Sequence, residues 1–144
     1  MIDIRPMTID DYDALVRLMK ATPGVSFRDA DSLEGTRRYL ERNPGLSFVA
    51  ESGPTLCAAA MCGHDGRRGY LQHVLVAPEH RQQGIAEELV ARCLAGLSEL
   101  GIRKCHLDVF KSNEPAARYW THRGWKFRDD IDRYSFTRPG DEEA

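Results

Sequence analysis

The sequence lacks most of the features that would assign a chain to a class at sight. No apolar run approaches the roughly 20 residues that span a bilayer, and the first residues, "MIDIRPMTIDD", are polar and acidic. No export or membrane segment is therefore expected, and the chain reads as cytoplasmic. Charge of one sign is not in excess: a formal net charge of -2 and a pI of about 6.2 give no general attraction to phosphate backbones, which disfavours nucleic acid as a main partner. The four cysteines, Cys57, Cys62, Cys93 and Cys105, form no CxxC pair and no Cys/His cluster at metal-ligand spacing. They read as reduced core residues, and no metal is expected. Neither the GxxxxGK[ST] of a Walker loop nor the GxGxxG of a dinucleotide-binding turn occurs. Internal repeats and low-complexity segments are also missing.

What is present is an ordinary globular pattern. At 144 residues, with 42% hydrophobic and 29% charged content, the chain is large enough for one core. One domain over residues 1–137 is expected, with "RPGDEEA" as an acidic tail over 138–144. Ile2 and Ile4 alternate with polar partners as far as Pro6, the pattern of a short strand. Thr8 with Asp11 three residues on then opens a helix whose apolar residues recur at helical spacing, from Ile9 to Met19. A second helix runs through Leu33, Thr36 and Leu40 to the stop at Asn43-Pro44-Gly45, with Gly35 costing it about 1 kcal/mol of propensity. "LSFVAE", "TLCAAAMCG" and "YLQHVLVA" read as three strands joined by turns at Ser52-Gly53-Pro54 and "HDGRRG", an antiparallel meander. A helix follows up to Gly101, then the alternating "KCHLDVF", a helix from Asn113 to Gly124, and two short strands in "WKFRDDIDRYSFT".

The chemistry concentrates in "VLVAPEHRQQGIAEELV", Val74 to Val90. A strand stops at Pro78 and a helix starts near Gly84, so backbone N–H groups at the helix start lack intrahelical partners and the helix dipole adds partial positive charge. Gly84 lets a ligand approach the backbone, Arg81 adds a charged fork suited to phosphate, and Ala86 keeps the first turn small. The stretch suits a phosphate or pyrophosphate; a plain strand-to-helix turn is the alternative for an isolated RxxG.

These residues carry a family resemblance. The stretch resembles the signature of the GNAT superfamily of acyl-CoA-dependent N-acetyltransferases, whose [Q/R]-x-x-G-x-[G/A] loop is met by Arg81, Gly84 and Ala86, and whose preceding V-x-P is met by Val76 and Pro78. A second block, "NEPAARYWTHRGW", is similar to that family's N-x-x-A-x-x-[F/Y]-Y-x-x-x-G-[F/Y] at Asn113, Ala116, Tyr119, Gly124 and Trp125. The resemblance implies an α/β (α+β) GNAT fold, a central mixed, mostly antiparallel sheet of about seven strands flanked by about four helices. It implies acetyl-CoA as cosubstrate, with the pyrophosphate on Arg81, Gln82, Gln83, Gly84, Ile85 and Ala86. The pantetheine arm would run beside Val74, Leu75 and Val76, where that strand splays from "HLDVF" and free backbone groups could polarise the thioester carbonyl. Asn113 is expected near the pantetheine or, equally, as the N-cap of its own helix.

Transfer to an amine requires that an ammonium lose a proton and the leaving thiolate gain one. The family often places a carboxylate base at the position of Gln72 or His73; this chain has none there, and His73 is the substitute, since histidine takes up a proton near neutral pH. The competing reading makes His73 a half-buried strand residue hydrogen-bonded to a neighbour. The family's usual acid, a tyrosine after the first aromatic, is replaced by Trp120, whose indole N–H donates a hydrogen bond but is no useful acid. Tyr119, one residue earlier, is the remaining side-chain candidate, although one step of about 100° on a helix turns it into another sector; water, or a thiolate leaving unassisted, is the alternative. The implied activity is acetyl transfer to a primary amine by direct attack in a ternary complex, with "ATPGVSFRDADSLEG" shaping the acceptor pocket. An acyl-CoA-binding regulatory module with little transfer is the alternative, and a toxin-like member acting on aminoacyl-RNA a third. Nothing marks an interface, so monomer and homodimer both stay open.

Overall fold

The computed structural model describes all residues, Met1–Ala144, and the chain falls into two compact units, Met1–Leu107 and Asp108–Ala144. The first unit is built on five strands: β1 (Ile2–Pro6), β2 (Phe48–Ser52), β3 (Thr55–His64), β4 (Gly69–Val76) and β5 (Cys105–His106). They lie side by side in chain order, antiparallel from β1 to β4, and β5 closes the sheet in parallel with β4. The meander expected from the two turn sequences is there. Gly53, at φ 59, makes the first turn, and in the second the Asp65 carboxylate accepts the N–H groups of Arg67 and Arg68, each at 2.8 Å.

Three helices belong to this unit: α1 (Tyr12–Lys20), α2 (Leu33–Arg42) and α3 (Ile85–Glu99). β3 is buried without a break from Cys57 to Gly63, so both of its faces are covered, and α1 and α3 both pack on it. The apolar spacing of α1 delivers Leu15, Leu18 and Met19 to this core, and that of α3 delivers Leu89, Cys93 and Leu97. Cys57 and Cys62 are buried in the same strand. Gly101, at φ 81, ends α3: its N–H bonds the Ser98 carbonyl while Ile102 N–H bonds that of Leu97, and both apolar partners are buried.

Thr8 and Asp11 form the expected cap, with the Asp11 carboxylate accepting Thr8 N–H at 2.8 Å, but a 3-10 turn over Ile9–Asp11 precedes α1. Asp11 also accepts two hydrogen bonds from Arg5, whose Nε donates to Glu51 at 2.8 Å, tying β1 to the helix start and to β2. Burial alone would raise the Asp11 carboxyl; the Arg5 and Thr8 hydrogen bonds outweigh it and hold the group below the usual carboxylate range.

The expected penalty at Gly35 has a different physical content. A Cβ there would lie 2.4 Å from the Ala30 carbonyl oxygen, because a 3-10 turn over Asp29–Asp31 folds back against the first turn of α2. Ser32 caps that helix by accepting Gly35 N–H at 3.0 Å. Gly35→Ala, which would stabilise an unconstrained helix by about 1 kcal/mol, is therefore expected to destabilise this protein, by roughly 1–3 kcal/mol. A denaturant titration checks it; a raised midpoint would show that the turn moves aside freely.

The sheet is smaller than the sequence suggested, five strands where about seven were expected. "KCHLDVF" pairs only at Cys105 and His106, and residues 125–137 form no strand. In β4, Ala60 faces Val74 and Cys62 faces Leu71, so Gln72 and His73 together oppose the single residue Met61. Such a bulge bends a strand and strengthens its twist, and it begins just past Tyr70, where the pairing with β5 ends. Over 125–137 the apolar residues Trp125, Phe127, Ile131, Tyr134 and Phe136 do not keep a period of two, and "RDDID" between them has little strand preference.

The second unit contains α4 (Glu114–His122). Asn113 caps it by accepting Ala116 N–H at 3.2 Å, Pro115 stands in its first turn, and Gly124, at φ 92, closes it. Trp120 packs edge-on against Tyr119 on one side and against Trp125 on the other, with ring centroids 5.1 Å apart in each pair. Arg133 pairs with Asp108 at 3.1 Å and Arg128 with Asp130 at 2.9 Å.

Candidate active site

Beyond Tyr70, β4 continues for six residues to Val76 without pairing to β5. The stretch Val74, Leu75 and Val76 lies in this segment. The chain then makes a 3-10 turn, Pro78–His80, and crosses Arg81, Gln82, Gln83 and Gly84 into α3. Gln82 has φ 61, a left-handed conformation that a non-glycine residue rarely adopts, and Gly84 has φ 78. Alternation of conformation at this scale turns successive amides toward one side, the arrangement by which backbone loops form anion-binding concavities.

The first N–H to bond inside α3 is that of Glu88, to the Gly84 carbonyl at 3.2 Å. The amides of Ile85, Ala86 and Glu87 consequently have no helical acceptor, and no side chain caps them. A Cβ built on Gly84 would meet nothing within 4 Å, so no side chain or backbone crowds the residue that opens these amides. Arg81 folds back so that its Nε donates to the Val76 carbonyl at 3.1 Å, which fixes the guanidinium beside the end of β4. Arg81 to Gly84 are all exposed, and Ile85 is anchored in the core.

His73 sits at the bulge, one residue before the Val74–Val76 run. Its Nε2 lies 2.8 Å from Asp31 Oδ1, and the two side chains are 19% and 17% exposed, so water competes little for the pair. This is the half-buried, hydrogen-bonded histidine of the competing reading, and also a histidine oriented by a carboxylate, the arrangement that general bases use. Asp31 was not singled out in the sequence; it comes from the turn inside "ATPGVSFRDADSLEG", 42 residues away, and no spacing pattern could have joined the two. Gln72, its neighbour in the bulge, is exposed. His64 accepts Gly66 N–H at 3.0 Å, which makes it part of its turn, and His106 packs against the Tyr70 ring with centroids 5.6 Å apart.

Two sequence candidates lie in the second unit. The Asn113 side chain makes the N-cap bond described above, and Tyr119 is half-buried against Trp120. A cleft of about 690 Å³ in the first unit, with Asp10, Arg17, Glu51 and Glu79 in its lining, includes neither His73 nor any residue of Arg81–Ala86. No helix is long and apolar enough to cross a membrane.

The profile of the acetyltransferase (GNAT) family matches residues 12–125. The chain belongs to the GNAT acetyltransferase family. As a GNAT protein it is similar to an acetyltransferase of Pectobacterium atrosepticum, 30% identical over 113 residues that cover 78% of this chain and 79% of that relative. It is also similar to an acetyltransferase of Photorhabdus laumondii, 32% identical over 117 residues, 78% of each chain. Among solved structures, the PaiA N-acetyltransferase of Thermoplasma acidophilum in complex with coenzyme A superposes with a TM-score of 0.80 at 20% identity, covering 91% of this chain and 93% of that one. The aminoglycoside N-acetyltransferase AAC(6')-Iy, solved with CoA, superposes with a TM-score of 0.72 at 20% identity, covering 94% and 95%. At that identity the likeness carries the GNAT fold, an α+β arrangement around a mixed sheet. The fold expectation is thereby met, with fewer strands than anticipated.

Proposed function

We propose that this GNAT acetyltransferase binds acetyl-CoA along the free edge of β4 and on the amides that open α3, and transfers the acetyl group to a primary amine by direct attack in a ternary complex. One observation carries the reading: a strand edge without a partner strand, Leu71–Val76, leads within a single unit into a loop whose helix-start amides have no helical partner and whose glycine is uncrowded. A pyrophosphate fits that loop on chemistry alone, since it brings negative oxygens to N–H donors, a helix N-terminus and Arg81. Gln82, Gln83, Gly84, Ile85 and Ala86 would supply the loop backbone, and Val74, Leu75 and Val76 the edge along which an amide-bearing arm can bond. Asn113 is proposed as an additional contact, on the family motif alone.

In the proposed reaction His73 accepts a proton from the acceptor ammonium, and the neutral nitrogen attacks the thioester carbonyl carbon. A C–N bond forms, the C–S bond breaks, the acylated nitrogen gives up its second proton, and the departing thiolate gains one, so that the products are the amide and free CoA thiol. N–H groups on the β4 edge would stabilise the oxygen that gains charge. Tyr119 is proposed as the donor to the thiolate on its place in the family motif. The acceptor is an amine bounded by the turn that carries Asp31; one structural neighbour is an aminoglycoside N-acetyltransferase and another was solved with a bound peptide and CoA, which indicates the range worth screening.

The test has two readouts. Thermal melts with CoA, acetyl-CoA and ATP should show stabilisation by the first two alone, roughly 2.7 kcal/mol at a hundred times the dissociation constant. Release of free thiol from acetyl-CoA with a panel of aminoglycosides, polyamines and peptide N-termini should then identify the acceptor. Stabilisation without thiol release across the panel would instead favour a CoA-binding regulatory module. No stabilisation would make the Arg81–Ala86 loop a plain turn.

A further inference from the structure

We infer that Asp31 is a positioning residue for the transfer: its carboxylate holds the Nε2–H of His73 and leaves Nδ1 as the atom that accepts the proton of the attacking amine. The inference deepens the proposed reaction and rests on His73 being its base. An ionised carboxylate is only an acceptor, so across the 2.8 Å contact the imidazole Nε2 must donate. In the neutral ring that places the lone pair on Nδ1, and the proton acceptor is defined before any substrate arrives.

The carboxylate is itself held. Asp31 Oδ2 accepts Arg28 N–H at 2.9 Å, the Asp31 amide donates to the Arg28 carbonyl at 2.8 Å, and the Asp31 carbonyl accepts the Tyr12 hydroxyl at 2.8 Å. The neighbouring Ala30 carbonyl is pressed against Gly35, so the turn is seated on α2 as well as on α1. One oxygen of Asp31 is thus spent on fixing the turn and the other on His73. On the opposite side the β4 bulge sets the ring, because Gln72 and His73 share the space of one residue. Two independently fixed backbones meeting in a partly buried hydrogen bond constitute an orienting device, of the kind that determines which nitrogen of a histidine is free.

The experiment combines a spectrum with turnover. Long-range ¹H–¹⁵N spectra of uniformly labelled protein, at a pH where the ring is neutral, should show His73 in the Nε2–H form. In Asp31→Ala that form should give way to a tautomer mixture, and in Asp31→Asn, which keeps the shape of the turn if the alanine variant folds poorly, to the Nδ1–H form, because the amide oxygen stays on Arg28 N–H and the amide N–H turns to the ring. Turnover should fall about tenfold to a hundredfold in both, with KM for acetyl-CoA within twofold. Removing Asp31 from His73→Ala should cost nothing further, since the two act as one unit. A tautomer unchanged by loss of Asp31, or a double variant much slower than His73→Ala, overturns the inference while leaving the base reading intact. Unchanged turnover in His73→Ala removes the base reading and this inference with it, whatever the ring spectrum shows.

Discussion

Gly84→Trp should raise the dissociation constant for CoA by a hundredfold or more while leaving the protein folded. Gly84 holds φ 78 at the first position before α3, and the space in front of its Cα is open to at least 4 Å. An indole there would project from the residue that opens α3, next to the Ile85, Ala86 and Glu87 amides, and is expected to crowd a phosphate held by them. Each charge-assisted hydrogen bond to a phosphate oxygen contributes roughly 1.5–3 kcal/mol, and loss of two exceeds the 2.8 kcal/mol that corresponds to a factor of about a hundred. The left-handed backbone adds about 1–2 kcal/mol of strain for any side chain. Gly84→Ala carries the same strain without the bulk, so it should lose stability similarly and retain much more affinity. Calorimetric titration with CoA separates the two; wild-type affinity in the tryptophan variant would place the phosphates elsewhere.

His73→Ala should lower kcat by about 10²- to 10⁴-fold, the usual worth of a positioned base, with little change in KM for acetyl-CoA. The contrast follows from position. His73 stands at the bulge, ahead of Val74–Val76 and the Arg81–Ala86 loop, and a side-chain truncation there should disturb proton removal and leave those backbone groups in place. Initial rates across pH 6 to 9 are the measurement, and a rate profile indistinguishable from wild type would exclude His73 from proton transfer. Tyr119→Phe, run in the same assay, should lower kcat about tenfold or more if its hydroxyl protonates the thiolate; an unchanged kcat would leave that step to water.

Much of this architecture is legible from local chemistry. The caps at Thr8 and Asn113 depend on contacts within three residues, and the stops at Gly101 and Gly124 on contacts within five, which is the range a pattern can express. The Arg81–Gly84 crossing is legible for the same reason, since its glycine marks the left-handed turn that exposes helix-start amides. What could not be read depends on distant partners. Gly35 looks like a weak point in a helix until the Ala30 carbonyl is seen against it, and Asp31 looks like one more acidic loop residue until His73 is seen 2.8 Å away. Alternation in "KCHLDVF" suggests a full strand, yet alternation only prepares a face, and the bulge in β4 ends the partner's usable length after Tyr70.

That bulge has a second effect, on association between molecules. A strand edge that can receive an amide-bearing ligand can equally receive the strand of another chain, and a regular, flat edge would do so. Because Gln72 and His73 crowd into one residue's place, the spacing of donors and acceptors along Leu71–Val76 is broken near its middle. A long foreign strand can match one half of that edge or the other, but not both in register. A short ligand needs only one half, so under the proposed reading the bulge admits the ligand while denying a foreign strand a matching register.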